Sequence, residues 1–266
     1  MSKRLVCSLI LGGLLGLSQV HTFGADAEPP KPAAPAAPAA PVSKPSEKPT
    51  FQLTDEEKKD GWVVLFDGTN TDNFRAYKGK EFPAKGWIIE DGCLRHVQGA
   101  GGGDIITKEE YGSFELSLEW KVGPGSNSGV MYNVSEESGP SYMTGPEMQV
   151  LDDTKHPDGK NPKTAAGALY AMIPGNADKT VKPVGEFNEA KLVMKKNHGE
   201  HWLNGKKIVE YDKGGEEWNK LVAGSKFKAW PKFGKNDKGF LAFQDHGNDV
   251  WFRNIKIRPI KDEAAK

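Results

Sequence analysis

Two cysteines in 266 residues exclude a fold held together by disulfides. Cys7 sits in an N-terminal apolar run, which leaves Cys93 without an intramolecular partner. An excess of charge is missing as well: 36 basic residues face 36 acidic ones. That balance offers no basic footprint for nucleic acid and no steering toward anionic membranes. The six histidines lack H-x-x-x-H and H-E-x-x-H spacing. Asp152-Asp153 and Asp158-Gly159 supply oxygens without the frame of an EF-hand loop. No G-x-S-x-G nucleophile elbow occurs. Gly99 to Gly103 has the composition of a phosphate loop, but neither Lys-Ser/Thr nor a G-x-G-x-x-G helix context follows it. No repeat of propeller type is present. The sequence thus requires no cofactor and assigns no metal ligand, while leaving a divalent metal open.

Long hydrophobic runs are confined to the N-terminus. Lys3-Arg4, the apolar run Leu5–Leu17 and the small residues Ala25-Asp26-Ala27 follow the order of a secretory signal peptide. The run is too short to span a bilayer comfortably, so no membrane anchor is expected after processing. Residues 1–27 are read as the leader, giving a periplasmic or secreted protein. Its removal takes Lys3, Arg4 and Asp26, which leaves 34 basic and 35 acidic residues. Residues 28–50 are rich in Pro and Ala and are expected to form a semi-rigid, disordered linker. The folded domain is expected over residues 51–261, with a polar tail at 262–266.

Within the domain the signal is alternation. Phe114, Leu116, Leu118 and Trp120 share one strand face, and Glu115, Ser117 and Glu119 the other. Asp91-Gly92 and Asn204-Gly205 mark tight hairpins, and Asn127–Tyr132, Gly167–Tyr170, Gly239–His246 and Val250–Arg258 read as further strands. Helix is expected only near 55–59, 107–111 and 216–223, the first two from capping-box spacing. A dozen short strands with so little helix predicts an antiparallel β-sandwich or jelly roll. Asn133-Val134-Ser135 is a glycosylation sequon.

Chemistry concentrates on Glu147–Leu151. Alternate side chains share a face, so Glu147, Gln149 and Leu151 point one way and Met148 and Val150 the other. An acid and an amide about 6–7 Å apart, bracketed by turns, suggest a site. Gln244 and His246 share a face near the end of a late strand, a pairing suited to proton handling. Arg253, between apolar neighbours, needs a partner, either in the site or in the scaffold. Trp202, Tyr132 and Trp230 are candidate platforms for sugar stacking.

Eight stretches taken in order resemble the 3-keto-disaccharide hydrolase domain family. They are Gly61–Gly68, Phe114–Trp120, Asn127–Gly129, Gly145–Asp152, Gly167–Tyr170, Leu203–Gly205, Gln244–Gly247 and Phe252–Ile255. The resemblance implies a concanavalin A-like jelly roll of two curved antiparallel sheets with a sugar-sized groove. It also implies an exported enzyme that cleaves glycosides oxidised at C3, so the expected partner is a small-molecule glycoside. The oligomeric state stays open. Carried over residue by residue, the groove would gather Glu147, His246 and Glu119 as catalytic groups. Asn127, Gln149, Tyr170, Gln244 and Arg253 would bind substrate. A ketone at C3 acidifies the C2 proton, so a base (His246 or Glu147), an acid or orienter (Glu119) and donors to the enolate oxygen suffice. The ordinary two-carboxylate glycosidase route is disfavoured, because Glu147–Asp152 only loosely echoes the two glutamates and intervening aspartate of such enzymes, with Gln149 where the aspartate would be and Asp152 in place of the second glutamate. The competing expectation is a non-catalytic, lectin-like carbohydrate-binding module. It would be favoured if His246 lay far from both Glu119 and Glu147.

Overall fold

The computed structural model describes residues 50–137 and 139–261. The expected leader, nearly all of the linker and the 262–266 tail lie outside the described residues.

Thirteen strands build two antiparallel sheets. In chain order they are β1 (Val63–Phe66), β2 (Phe74–Ala76), β3 (Trp87–Glu90), β4 (Cys93–His96), β5 (Ile105–Thr107), β6 (Phe114–Val122) and β7 (Asn127–Val134). Then follow β8 (Glu147–Leu151), β9 (Asn188–Lys195), β10 (His198–Leu203), β11 (Lys206–Asp212), β12 (Phe240–Phe243) and β13 (Val250–Pro259). The eight-stranded sheet runs β11-β10-β9-β6-β13-β4-β3, with β1 also paired to β13. The five-stranded sheet runs β2-β5-β12-β7-β8, so β8 is an edge. Together they make the expected jelly-roll sandwich.

The core lies between the sheets and follows from period-2 alternation. Every second residue of β6 from Phe114 to Val122 is buried, and these meet Val130, Tyr132, Met148 and Val150 of the other sheet in one cluster. Phe243 of β12 stands edge-on to Phe252 of β13, ring centres 5.1 Å apart, which locks sheet to sheet. Burying a phenylalanine of this kind contributes about 1.5–3 kcal/mol. Leu151, expected beside Glu147 and Gln149, joins this core instead.

The outer face of the five-stranded sheet is organised by a bulge. Asn133 takes φ 52°, and the β7–β12 register shifts between Phe240 and Ala242. Ile106, Ala242, Met131 and Glu147 are successive cross-strand neighbours. The first three form a small apolar cluster, with Val134, separate from the main core. Asn133 is fully buried, so its sequon is closed in the folded protein.

The turns have the required backbone. Asp91 and Gly92 have φ 51° and 73°, and Asn204 and Gly205 have φ 47° and 79°, the left-handed pairs of type I′ hairpins. Helix α1 (Asp55–Lys59) carries the Thr54–Glu57 capping box, and α2 spans Glu216–Ala223. The helix expected at 107–111 is absent. Thr107 ends β5, and its hydroxyl accepts from Leu241 N and donates to Glu109 O, so tertiary contacts take over the cap. Gly167–Tyr170 is not a strand either, making isolated bridges from Leu169 to Met148 and Ile173. The late strand β12 stops at Phe243, three residues short of His246. No helix among the described residues is long and apolar enough to cross a membrane.

Candidate active site

The outer face of β8 is closed over by loops. With Met148 and Val150 in the core, Glu147 and Gln149 turn outward into a cavity of about 370 Å³, of a size to hold one sugar ring. Its lining brings together Asn127, Glu147, Gln149, Tyr170, Gln244 and His246 with Tyr142, Lys226 and Trp230. The segment before Tyr170 lies along the free edge of β8. Gly167 N donates to Gln149 O at 2.8 Å, Gln149 N to Ala168 O at 3.2 Å, and Tyr170 N to Glu147 O at 3.0 Å. An edge strand is thereby covered and an aromatic residue delivered to the site in one step.

Glu147 is the centre of the arrangement. It is only 6% exposed, and no hydrogen bond reaches its carboxyl from the described residues. Burial pushes its pKa up to about 8; the Lys226 ammonium opposes this, and the Asp104 and Asp158 carboxylates reinforce it. Gly129 makes room for it. A Cβ at position 129 would stand 1.9 Å from Glu147 Oε1, so the carboxyl occupies the volume that any other side chain would fill.

Around this acid stand groups with unfilled hydrogen-bonding capacity. Gln149 Nε2 donates to Thr164 O at 3.0 Å, which leaves Oε1 buried without a donor. Asn127 Nδ2 lies 3.5 Å from His156 Nε2, and its Oδ1 is likewise buried and unpaired. Native proteins rarely leave such atoms unsatisfied, and two in one cavity mark acceptors held for a ligand. Tyr170 donates its hydroxyl to Asp158 at 3.2 Å, with Lys226 Nζ 4.3 Å from its ring centre. Burial, then the Asp158 and Glu147 carboxylates, hold its phenol above the ordinary range, so it stays a neutral donor.

Gln244 and His246 arrive on the loop after β12. Gln244 N donates to Gly129 O at 3.0 Å, and Asp245 N to Asp104 Oδ1 at 2.9 Å. Asp245 also meets the buried His96 at 2.8 Å. The loop is pinned from below while His246 remains exposed, its ring 6.1 Å from that of His156 in an edge arrangement. His246 and Glu147 therefore share a cavity, the convergence that separates an enzyme from a binding module.

Glu119 and Arg253 are corrections. They face each other across β6 and β13 of the eight-stranded sheet. Arg253 donates to Glu119 Oε2 at 2.9 and 2.6 Å, and Asn254 Nδ2 holds Oε1 at 2.6 Å. Alternation places Glu119 opposite Leu118 and Trp120, away from the core. Because β6 belongs to the other sheet, that direction leads to the opposite side of the molecule. Of the candidate platforms only Trp230 reaches the cavity. Tyr132 is in the core, its hydroxyl 2.9 Å from His201 Nε2, and Trp202 lies under Lys191 at 4.1 Å. Lys226, Tyr142 and His156 had no signal in the sequence, and Asp158 had only that of a stray oxygen ligand. Each sits in or beside a single 3-10 turn within a long connection.

Among the described residues, the group of three side chains able to meet on a metal ion is His198, Glu200 and Glu210. It lies on the eight-stranded sheet, where Lys207 pairs with both glutamates at 3.3 and 2.7 Å.

A jelly-roll sandwich with buried amides and a lone carboxyl in a sugar-sized cavity defines a carbohydrate-handling β-sandwich. The chain belongs to the 3-keto-alpha-glucoside-1,2-lyase-like domain family, which residues 61–258 match. It is 34% identical over 284 residues to a Bacteroides thetaiotaomicron protein named 3-keto-disaccharide hydrolase, covering 96% of this chain and 97% of that one. A crystal structure from Parabacteroides distasonis, provisionally named a glycosyl hydrolase, is 34% identical with a TM-score of 0.72, covering 80% of this chain and 100% of its own. A Bacillus subtilis protein with a galectin-like fold matches at 14% identity and a TM-score of 0.51, covering 76% and 96%, which shows the fold alone.

Proposed function

We propose that the cavity around Glu147 cleaves 3-keto-glycosides by elimination and hydration, giving net hydrolysis. The observation that carries this reading is the buried carboxyl of Glu147, with no hydrogen-bond partner among the described residues and a pKa pushed up to about 8. Such a group is mostly protonated at neutral pH and serves as a general acid. His246, exposed at the same cavity, removes the C2 proton, which the C3 ketone has acidified. The electron pair moves to the ketone oxygen, where the Lys226 ammonium stabilises the enolate. Its return expels the C1 oxygen, and Glu147 supplies the proton that oxygen needs. Water then adds across C1 and C2 of the unsaturated product, yielding the free 3-keto sugar. The Oε1 of Gln149 and Oδ1 of Asn127 accept from substrate hydroxyls, and Trp230 offers an aromatic wall. The similarity to a 3-keto-disaccharide hydrolase supports the same substrate class.

The test is to incubate the purified domain with a 3-keto-glucoside and with its unoxidised parent. Cleavage of the keto form alone, slowed by deuterium at C2 or accompanied by its washout, is the expected result. Cleavage of the parent with no isotope effect would replace this reading with an ordinary glycosidase. Saturable binding without turnover would leave the lectin-like alternative. The leader pattern supports action outside the cytoplasm, and N-terminal sequencing of the exported protein should begin between Ala25 and Glu28.

A further inference from the structure

A second, larger cavity of about 640 Å³ opens at one end of the sandwich, between the sheets. Trp120 and Val122 of β6 and Leu151 at the end of β8 form its floor, all buried, while Val181, Pro183 and Val184 line its outer side. Val184 is one of the few large apolar side chains left exposed. Two features separate this cavity from a simple packing gap. The indole Nε1–H of Trp120 is buried with no acceptor, although a buried indole N–H ordinarily finds one. With Lys179 paired to Asp153, the two ammonium groups of Lys155 and Lys182 outnumber the one remaining carboxylate, Asp152, at the mouth. Asp152 already accepts from Gly125 N, Thr154 and Lys155 N, and Asp153 accepts from Ala166 N and Lys179. Lys155 and Lys182 are exposed, and neither ammonium pairs with a carboxylate among the described residues.

We propose that this cavity is a binding site for a small amphipathic carboxylate: an aryl or short alkyl body bearing an ether or carbonyl oxygen, with the acid at the mouth. The apolar body covers Val122 and Leu151, the internal oxygen accepts from Trp120 Nε1, and the carboxylate meets Lys155 and Lys182. The site stands independently of the chemistry at Glu147.

Three matched probes test it by calorimetry: 3-(4-methoxyphenyl)propanoate, its 4-methyl analogue without the ether oxygen, and the corresponding neutral alcohol. The methoxy acid is expected to bind with a Kd below about 1 mM, the methyl acid about threefold to tenfold more weakly, and the alcohol about tenfold more weakly. Reversing the mouth with Lys155→Glu and Lys182→Glu, both exposed positions, should weaken the acid about tenfold or more and leave the alcohol unchanged. Trp120→Phe should erase the difference between the methoxy and methyl acids. Glu147→Gln should leave all three affinities unaltered, which separates this site from the sugar cavity. Absence of saturable binding, indifference to the charge reversal in a folded variant, or loss of binding in Glu147→Gln would each overturn the proposal.

Discussion

The outer faces of the two sheets carry the same kinds of side chain and put them to opposite uses. On the eight-stranded sheet acids are held by cations: Glu119 pairs with Arg253 at 2.6 Å and Glu115 with Arg258 at 2.9 Å, and Lys256 of the same sheet holds Glu57 of the neighbouring capping box. On the five-stranded sheet Glu147 has neither a cation in contact nor a hydrogen bond from the described residues, and it lies buried beneath loops. Pairing makes a carboxylate a strap between strands. Leaving it unpaired and buried makes it an acid that still holds its proton at neutral pH. Reactivity here depends less on which residue is present than on which partner is withheld.

The comparison breaks most visibly in turnover. Glu147→Gln and His246→Ala should each lower kcat on a 3-keto-glycoside by about 10²–10⁴-fold, whereas Glu119→Gln should leave it unchanged. Steady-state kinetics on the three variants decides the matter, and equal losses at 119 and 147 would erase the distinction between the faces.

Stability against pH sharpens it next. The folded pKa of Glu147 is raised, so between about 4.5 and 8 the unfolded chain gives up a proton that the folded chain keeps. Stability should therefore fall as pH rises through that window, by up to about 5 kcal/mol. Glu147→Gln should remove this part of the slope in denaturant titrations at pH 5 and pH 8.5, and an unchanged slope would deny the carboxyl its buried, protonated state.

A smaller effect is expected at Lys226, the cation that draws the Glu147 pKa down. Lys226→Met should let that pKa climb, moving the alkaline limb of the rate profile upward by about one pH unit or less. It should also lower kcat through the lost enolate contact. A limb moving toward acid would mean that another group sets it. The smallest effect belongs to the paired face. A double-mutant cycle on Glu119 and Arg253 should give about 1 kcal/mol or less, because the arginine side chain is 38% exposed and open to screening by solvent.

Local rules carried the scaffold far. The alternation of Phe114–Val122, the Asp91-Gly92 and Asn204-Gly205 turns and the Thr54 cap are short-range physics, and each is found where its residues place it. Thr107 shows where such rules stop, since its hydroxyl caps Leu241 N, 134 residues away. For the site, Glu147 and Glu119 look alike in sequence: each is an acid on the polar side of an alternating strand. Only strand order decides that one faces a cavity and the other an arginine, and strand order is a long-range property. Lys226 and Tyr142 were silent for a related reason. Short 3-10 turns carry no periodicity to announce which way their side chains point.

Gly129 gives the activity a genetic fragility that no reactive group shares. A single base change suffices for Gly129→Ala, and its methyl would claim the space now held by the Glu147 carboxyl, 1.9 Å from Oε1. Strand pairing on β7 needs nothing from that methyl, so the sandwich, the amides of Gln149 and Asn127 and the aromatic wall would all persist. A lineage could then part with catalysis in one mutational step and inherit a sugar-binding scaffold in its place.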